Sequence, residues 1–222
     1  MKYAMIMGLM GATLMAGSFV YPSLRFVLIW SAISFGVVAL GYAGLGPKVF
    51  GKRKDGRISL PLKLLNFPFL LFTWGIWHCS RFLSREDAFN TIDDDLVIGR
   101  RLLSSEIPEG FDHYVDLTAE FEEPLSARSR STYRSFPILD ASIPTVEKLR
   151  SVVEETQHGK TYVHCAQGHG RTGLFALALL LRRGKVESIE DGMALLKNLR
   201  PAINLNREQA VFMSRYLSET RN

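Results

Sequence analysis

The sequence predicts an α/β domain with a mostly parallel central sheet flanked by helices, preceded by an N-terminal transmembrane helical hairpin. Three observations predict it: two long uncharged apolar runs at the start, short apolar strand-like segments that alternate with helical patterns near the end, and the glycine-rich string HCAQGHGRTG between one such strand and one such helix. We expect a hairpin over residues 1–46, a basic loop with an interfacial apolar helix over 47–90, and a globular domain over 91–222.

The hairpin is predicted from two runs without charge, Ala4–Tyr21 and Phe26–Leu45. At about 1.5 Å per residue, each run is long enough to cross a hydrocarbon core of about 30 Å. Only Pro22–Arg25 separates them, and small residues at a spacing of four would let the two helices pack closely. Those residues are Gly8, Ala12 and Ala16 in the first run and Ala32 and Gly36 in the second. A cleaved signal peptide is the alternative, but the immediate second run favours an uncleaved anchor.

Positive charge is concentrated near the hairpin. Residues 1–63 carry eight Lys or Arg and one acid, whereas residues 80–222 carry 19 basic and 21 acidic residues, so the balance does not indicate nucleic-acid binding. Basic loops favour the cytoplasmic side, which predicts a multi-pass membrane protein whose C-terminal domain faces the cytoplasm. The loop is also expected to bind anionic lipid heads. Its basic residues are Lys48, Lys52, Arg53, Lys54 and Arg57.

A third apolar stretch, Leu64–Cys79, is ambiguous. Its 16 residues reach only about 24 Å as a helix, and it contains Asn66, Pro68 and two tryptophans. Tryptophan favours the membrane interface, so we expect a helix that lies in the cytoplasmic leaflet. A third span is the alternative, and it would put the C-terminal domain on the other side.

The C-terminal part of the chain shows the alternation of an α/β domain. Strands are predicted over Leu96–Gly99, Tyr114–Leu117, Tyr133–Ile138 and Thr161–His164. Helices are predicted over Thr145–Thr156, Thr172–Arg183, Ile189–Leu199 and Asn206–Leu217. In such sheets, ligands bind at the carboxyl ends of the strands, which is where Cys165 would lie.

The string between strand and helix has the composition of a phosphate cradle with a nucleophile at its base. Backbone N–H groups in a tight turn at a helix N-terminus bind oxyanions, and Arg171 would add a bidentate fork. The same positive field favours a thiolate at Cys165, which would attack phosphorus to form a phosphocysteine. Thr172 would stabilise the leaving thiolate, and His164 would tune its ionisation. The expected phosphate-binding loop is Ala166, Gln167, Gly168, His169 and Gly170.

A metal site is the alternative for this string, because His164, Cys165 and His169 are close in sequence. No further Cys or His cluster completes a four-ligand set, so we expect neither a metal nor another cofactor. His169 is then a residue of the substrate rim or a solvated loop residue.

The string HCAQGHGRTG resembles the active-site loop of protein tyrosine phosphatases, especially the atypical dual specificity phosphatases. A second match is the Asp-x-x-x-Pro pattern of Asp140–Pro144, which resembles the family's general-acid loop upstream of the cysteine; VDLTAEF and RPAINLNREQ match more weakly. The resemblance covers about residues 92–219. It implies a cysteine-phosphatase fold and a phosphoprotein substrate, with a lipid such as phosphatidylglycerophosphate or a phosphoinositide as the alternative. A catalytically silent phospho-binding membrane module is the alternative from another class.

Asp140 is the candidate general acid and base, because expulsion of an alcohol or phenol from phosphorus needs a proton donor. Two other readings remain open. Asp140 would otherwise cap the helix that follows, although Ser142 is better placed for that. Asp116, at the end of a strand-like segment, is the other candidate acid.

Overall fold

The computed structural model describes residues 1–220 and has two compact units. The N-terminal unit contains Met1–Arg53, Arg57–Ser84 and the short segment Ala119–Glu122. The C-terminal unit contains Lys54–Gly56, Arg85–Thr118 and the chain from Glu123 onward. The chain therefore passes between the two units several times.

The N-terminal unit begins with the helices α1 (Lys2–Val20) and α2 (Arg25–Leu40), joined by a short 3₁₀ turn. Two helical stretches, Lys2–Val20 and Pro22–Phe50, are long and apolar enough to cross a membrane by length and composition. Large apolar side chains on them stay exposed, as expected for surfaces that face lipid. Examples are Met5, Leu9, Phe19, Phe26 and Val27.

The packed face of α1 differs from the prediction. Gly11 is buried, and a Cβ there would lie 3.0 Å from the Ala32 carbonyl oxygen, whereas Ala12 and Ala16 are not buried. The helical period of 3.6 residues explains the difference, since a strict spacing of four moves away from the contact face along the helix. Gly8 and Ala32 lie on the packed face as expected.

The third apolar stretch forms two helices, α3 (Leu60–Leu65) and α4 (Phe67–Leu83). The single helix predicted over Leu64–Cys79 is therefore wrong at its start, where Asn66 interrupts it. The buried Asn66 side chain donates hydrogen bonds to the carbonyls of Val49 and Leu62 at 2.9 and 3.0 Å. Pro68 follows in the first turn of α4, where its missing N–H costs no helical hydrogen bond.

The C-terminal unit contains a five-stranded sheet in the order β1-β2-β5-β3-β4. Its strands are β1 (Phe89–Asp93), β2 (Leu96–Arg100), β3 (His113–Thr118), β4 (Tyr133–Ile138) and β5 (Thr161–Cys165). All neighbours run parallel except β1 and β2. The predicted α/β fold with a mostly parallel sheet is confirmed, and the antiparallel edge strand β1 is an addition to it.

Five helices accompany the sheet: α5 (Leu125–Arg128), α6 (Val146–Glu155), α7 (Gly170–Arg182), α8 (Ile189–Leu199) and α9 (Arg207–Thr220). Helix α7 is buried from Arg171 to Leu180 and packs against aliphatic side chains of β2, β3 and β5. The opposite face of the sheet carries a second cluster centred on Tyr114, Tyr133 and Tyr162. The central strand β5 is thus covered on both faces, which fixes the position of the cysteine at its end.

Candidate active site

The sequence string HCAQGHGRTG forms the turn from β5 to α7. Cys165 ends β5 opposite Arg100 of β2, and α7 begins at Gly170. The Cys165 side chain is buried, and its Sγ accepts a hydrogen bond from the Gly168 N–H at 3.3 Å. The sulfur therefore lies at the base of a loop whose N–H groups precede a helix N-terminus, the arrangement that favours an anion.

Gly168 is the residue at which the loop turns back on itself. Its φ is +77°, in the left-handed region, and a Cβ there would overlap the carbonyl carbon and oxygen of Gly99. Only glycine satisfies both the torsion and the close approach to β2. On the same side, the Ala166 carbonyl accepts a hydrogen bond from the Arg101 N–H at 3.3 Å.

Arg171 and Asp140 lie together. The guanidinium of the buried Arg171 donates to the Ile138 carbonyl at 3.0 Å and lies 3.3 Å from Asp140 Oδ1. The Asp140 side chain is 73% exposed, so its carboxyl group faces solvent from the loop after β4. The structure thus brings the candidate acid to the candidate phosphate-binding arginine, although helix α6 and strand β5 separate the two in sequence.

Asp140 does not cap the helix that follows it. The N-cap of α6 is Thr145, whose Oγ1 accepts from the Lys148 N–H, so the expectation that Ser142 caps the helix is wrong. Ala141 has a φ of 55°, the only non-glycine residue in the left-handed region within the described chain.

Two residues that the sequence did not single out hold this acid loop. Asn206 Nδ2 donates to the Ala141 carbonyl at 2.8 Å, and Gln209 Nε2 donates to the Ser142 carbonyl at 3.2 Å. The Gln209 side chain is buried and its Oε1 accepts from the Asn206 N–H at 3.1 Å. Their only sequence signal was the weak match of RPAINLNREQ to the family.

Thr172 and His164 lie on either side of the nucleophile in sequence and are both fully buried. Thr172 Oγ1 has no hydrogen-bond partner within residues 1–220. His164 Nδ1 lies 3.4 Å from the Cys165 carbonyl oxygen. Its Nε2 points to two acids, 3.8 Å from Glu123 Oε2 and 4.0 Å from Asp116 Oδ1.

The alternative acid, Asp116, belongs to this buried cluster behind the cysteine. Its Oδ1 accepts from the N–H and hydroxyl of Thr118, and its Oδ2 accepts from the Tyr133 hydroxyl at 2.7 Å. Glu123 pairs with Arg101 at 2.8 Å. Asp116, Glu123 and His164 could in principle ligate an ion, but the carboxylates already accept bonds from these donors. Asp116 therefore stabilises the core through buried hydrogen bonds and does not face the loop where Asp140 lies.

Buried tyrosines supply part of this network. Burial, with the nearby Asp116 carboxylate adding to it, raises the pKa of Tyr133 far above its usual value. Burial first, and then Glu123, raises the pKa of Tyr114 in the same direction. Both hydroxyls consequently stay protonated and remain hydrogen-bond donors to the carboxylates.

The remaining loop residues are partly exposed. Gln167, His169 and Gly170 line the outer side of the turn, and His169 Nε2 lies 2.7 Å from Glu86 Oε2. The His169 ring is therefore paired with an acid and is not a freely solvated side chain. Its partner comes from the segment just after α4.

The family model for the catalytic domain of dual specificity phosphatases matches residues 104–218. The chain belongs to the dual specificity phosphatase family. Its residues 104–218 form a domain of the dual specificity phosphatase type. The match begins after α4, β1 and β2, so it leaves out the first two strands of the sheet. It also leaves out the N-terminal unit, except for the segment Ala119–Glu122.

Individual proteins are similar to parts of this phosphatase. "Putative tyrosine phosphatase 197R" of Invertebrate iridescent virus 6 is 35% identical over 83 residues, which are 32% of this chain and 31% of the viral protein. The phosphatase thus matches about a third of that relative's length.

Solved structures share the fold of the C-terminal unit. Tk-PTP in its active form is 22% identical and superposes with a TM-score of 0.52, over 59% of this chain and 97% of Tk-PTP. PTPMT1 in complex with PI(5)P is 16% identical with a TM-score of 0.52, over 60% of this chain and 96% of PTPMT1. At these identities, the likeness shows that the phosphatase has their fold.

Proposed function

We propose that this phosphatase hydrolyses phosphate monoesters of proteins through a phosphocysteine intermediate while anchored in a membrane. The observation that carries the proposal is the Cys165 sulfur at the base of the β5–α7 loop, with Arg171 and Asp140 3.3 Å apart beside that loop. Asp140 is the general acid and base, Arg171 binds the phosphate, and residues 166–170 form the cradle.

In the first step, the Cys165 thiolate attacks phosphorus and the bond from phosphorus to the leaving oxygen breaks. Asp140 gives its proton to that oxygen, a contribution of roughly 10²–10⁴-fold to the rate. The N–H groups of the loop and the Arg171 guanidinium stabilise the charge on the transferring phosphoryl group. The exposed position of Asp140 suits it to protonate a leaving group that reaches the site from solvent.

In the second step, a water molecule attacks the phosphocysteine and the bond from phosphorus to sulfur breaks. The Asp140 carboxylate accepts the proton from that water, so the acid is regenerated. The Thr172 hydroxyl donates to the departing thiolate, which is supported by its burial without another partner in the described chain. His164 tunes the ionisation of the same thiol, which is supported by its position between the Cys165 carbonyl and the carboxylates of Asp116 and Glu123.

The proposed anchor is the α1–α2 hairpin, with residues 4–45 in the membrane and the catalytic domain in the cytoplasm. The length and composition of both helices support it, as do their exposed apolar side chains. Helix α4 would lie in the cytoplasmic leaflet, since Leu71, Phe72 and Ile76 are exposed along it. The exposed basic residues Lys48, Arg53, Lys54 and Arg57, with the half-buried Lys52, would contact anionic lipid heads.

A phospholipid is the second candidate substrate, and the observation that favours it is the hairpin itself. An enzyme held at a membrane meets phosphorylated lipid heads at high local concentration. The neutral Ala166 and Gln167 in the loop favour a phosphoprotein, because a polyanionic lipid head would call for additional cations there. PTPMT1, which shares the fold, has been solved with PI(5)P.

Hydrolysis of an aryl phosphate by the full-length protein in detergent, without added metal, tests the mechanism. We expect vanadate-sensitive turnover that Cys165→Ser abolishes, because a serine hydroxyl is a far weaker nucleophile than a thiolate. Asp140→Ala is expected to lower kcat by roughly 10²–10⁴-fold while phosphate still binds. Equal rates for wild type and Cys165→Ser would contradict the mechanism, and an unchanged Asp140→Ala would remove the acid role.

A substrate panel distinguishes the candidates. Phosphotyrosine and phosphoserine peptides would be compared with phosphatidylglycerophosphate and phosphoinositides in liposomes, by release of inorganic phosphate. Faster Cys165-dependent release from peptides supports the protein substrate, whereas faster release from lipids supports the second candidate. Phosphopeptide binding without any release would identify a silent binding module.

A further inference from the structure

Glu86 lies shortly after the end of α4 and outside the residues that the family model matches. Its side chain is only 35% exposed. Oε2 lies 2.7 Å from His169 Nε2 and 3.4 Å from Arg200 Nη2. One acid of the segment after α4 thereby reaches both the phosphate loop and an arginine that supports it.

Arg200 supports that loop from the side opposite the cysteine. The side chain is 2% exposed and donates from Nε to the Gly168 carbonyl at 3.0 Å and from Nη2 to the Gln167 carbonyl at 2.9 Å. Nη1 donates to the Asp87 carbonyl and to Asn90 Oδ1 at 3.0 and 2.8 Å. The guanidinium thus links the phosphate loop to residues 86–90.

These contacts set the direction of the loop's N–H groups. In a trans peptide, the carbonyl and the following N–H point to opposite sides. Because Arg200 holds the Gln167 carbonyl, the N–H of Gly168 points the other way, to Cys165 Sγ at 3.3 Å. Because Arg200 also holds the Gly168 carbonyl, the N–H of His169 likewise points away from Arg200.

Arg200 is a buried cation, and a buried charge needs a nearby opposite charge to hold its position. Glu86 lies within salt-bridge distance of it. The same carboxylate fixes the His169 side chain. Removing the charge of Glu86 would therefore loosen two supports of the loop at once.

We propose that Glu86 is a positioning residue for catalysis, which acts through Arg200 and His169 to hold the phosphate-binding N–H groups in place. The assignment rests on the proposed function, and it makes the segment directly after α4 part of the catalytic machinery. Glu86 itself does not touch the substrate.

The test is Glu86→Gln in the full-length protein in detergent, with Asp94→Asn as the matched control. Gln keeps the size of the side chain and loses the charge, while Asp94 is an exposed acid in the β1–β2 turn whose replacement removes the same charge. We would measure kcat for an aryl phosphate and the inhibition constant of inorganic phosphate. A thermal melt would report the stability of each variant.

We expect Glu86→Gln to weaken phosphate inhibition and lower kcat by about ten-fold each, since a small misplacement of binding groups is costly. Asp94→Asn should stay within two-fold of wild type in both. A purely structural role for Glu86 would lower the melting temperature and leave the inhibition constant of phosphate unchanged, and that result would overturn the assignment. If the wild type shows no Cys165-dependent turnover, the proposed function fails and the assignment falls with it; if the wild type is active and Glu86→Gln matches it, only the assignment fails.

Discussion

Two requirements meet at Gly168: a left-handed backbone torsion and contact with the backbone of β2. The φ of +77° excludes most side chains by strain, and the close approach to Gly99 excludes even a methyl group by overlap. Gly184, just after α7, has a similar φ of +64° but nothing within 4 Å of the place that a methyl group would take. Comparison of alanine substitutions at these two glycines therefore separates the cost of backbone strain from the cost of steric overlap.

We expect Gly168→Ala to lower turnover by at least about 100-fold, because the loop must shift and displace the N–H groups around Cys165. Gly184→Ala carries the torsional cost of about 1–2 kcal/mol and should keep its turnover. Steady-state rates and thermal melts of both variants check this. Comparable turnover in the two variants would show that the approach to Gly99 does not fix the loop.

At the scale of single residues, the sequence indicated the candidate site residues that are close to one another in the chain. The string from Cys165 to Arg171 predicted a tight turn between a strand and a helix, and the turn from β5 to α7 confirms it. The support from Glu86 could not be predicted, since Glu86 reaches the loop from a distant segment of the chain. Arg200 had only the weak match of RPAINLNREQ as a signal. Their polar side chains carry no periodic signal that would indicate burial.

The three tyrosines on one face of the sheet form an element of their own beside the aliphatic face. The ring centroids of Tyr114 and Tyr162 are 5.1 Å apart, and those of Tyr114 and Tyr133 are 6.3 Å apart. Their hydroxyls reach outward to different acceptors: Tyr133 to Asp116, Tyr114 to Glu123 and Tyr162 to the Arg100 carbonyl. Aromatic packing and hydrogen bonding thus act together here.

We expect Tyr133→Phe to lower the free energy of unfolding by about 1.5–3 kcal/mol, because a buried carboxylate loses a donor. Tyr162→Phe, which loses a bond to a neutral carbonyl, should cost about 0.5–1.5 kcal/mol. The raised pKa of these phenols means that the folded state holds their protons more tightly than the unfolded state. Their contribution is complete below about pH 10 and is lost as the pH rises above it.

Denaturant unfolding of both variants at neutral pH, and melts of the wild type from pH 8 to 11, measure these effects. A Tyr133→Phe variant as stable as the wild type would contradict the assigned hydrogen bond. A melting temperature that does not fall above pH 10 would contradict the proposed loss of stability.

Among the elements, the buried strands and helices were predictable, whereas the edge strand β1 and the break between α3 and α4 were not. β5 and α7 are apolar over most of their length, which is a strong signal. β1 (Phe89–Asp93) is a half-exposed edge strand with a polar sequence, so no alternation marked it. The break at Asn66 was missed for a related reason, since its buried amide bonds depend on the Val49 carbonyl, which belongs to an earlier segment of the chain.

At the scale of the whole molecule, the proposed hairpin predicts how the protein partitions. We expect the full-length protein to stay with membranes after alkaline carbonate and to be released by detergent, because two apolar helices insert far more firmly than a surface-bound helix. Replacing Val37 and Val38 in α2 by Lys should shift the protein to the soluble or aggregated fraction, since each charge costs about 2.5–3.5 kcal/mol at a helix centre.

The sidedness is checked by protease added to intact cells or sealed vesicles. With the catalytic domain in the cytoplasm, external protease should leave it intact until the membrane is permeabilised. Extraction of the wild type by carbonate would contradict the anchor, and digestion from outside would contradict the orientation. The conservative pair Val37→Ala and Val38→Ala serves as the control for the lysine variant.

The segment Ala119–Glu122 has a consequence for how such an enzyme can be rearranged by recombination. Within the N-terminal unit, Trp74 donates to the Glu120 carbonyl at 3.0 Å, Phe121 packs on Trp77 with ring centroids 5.7 Å apart, and Glu122 pairs with Lys63. Replacing the chain up to Ser84 by a foreign leader would leave this segment without the surroundings it folds into. The N-terminal helices therefore cannot be exchanged as an independent module: a gene fusion that replaces them must also redesign a loop encoded well downstream of the junction.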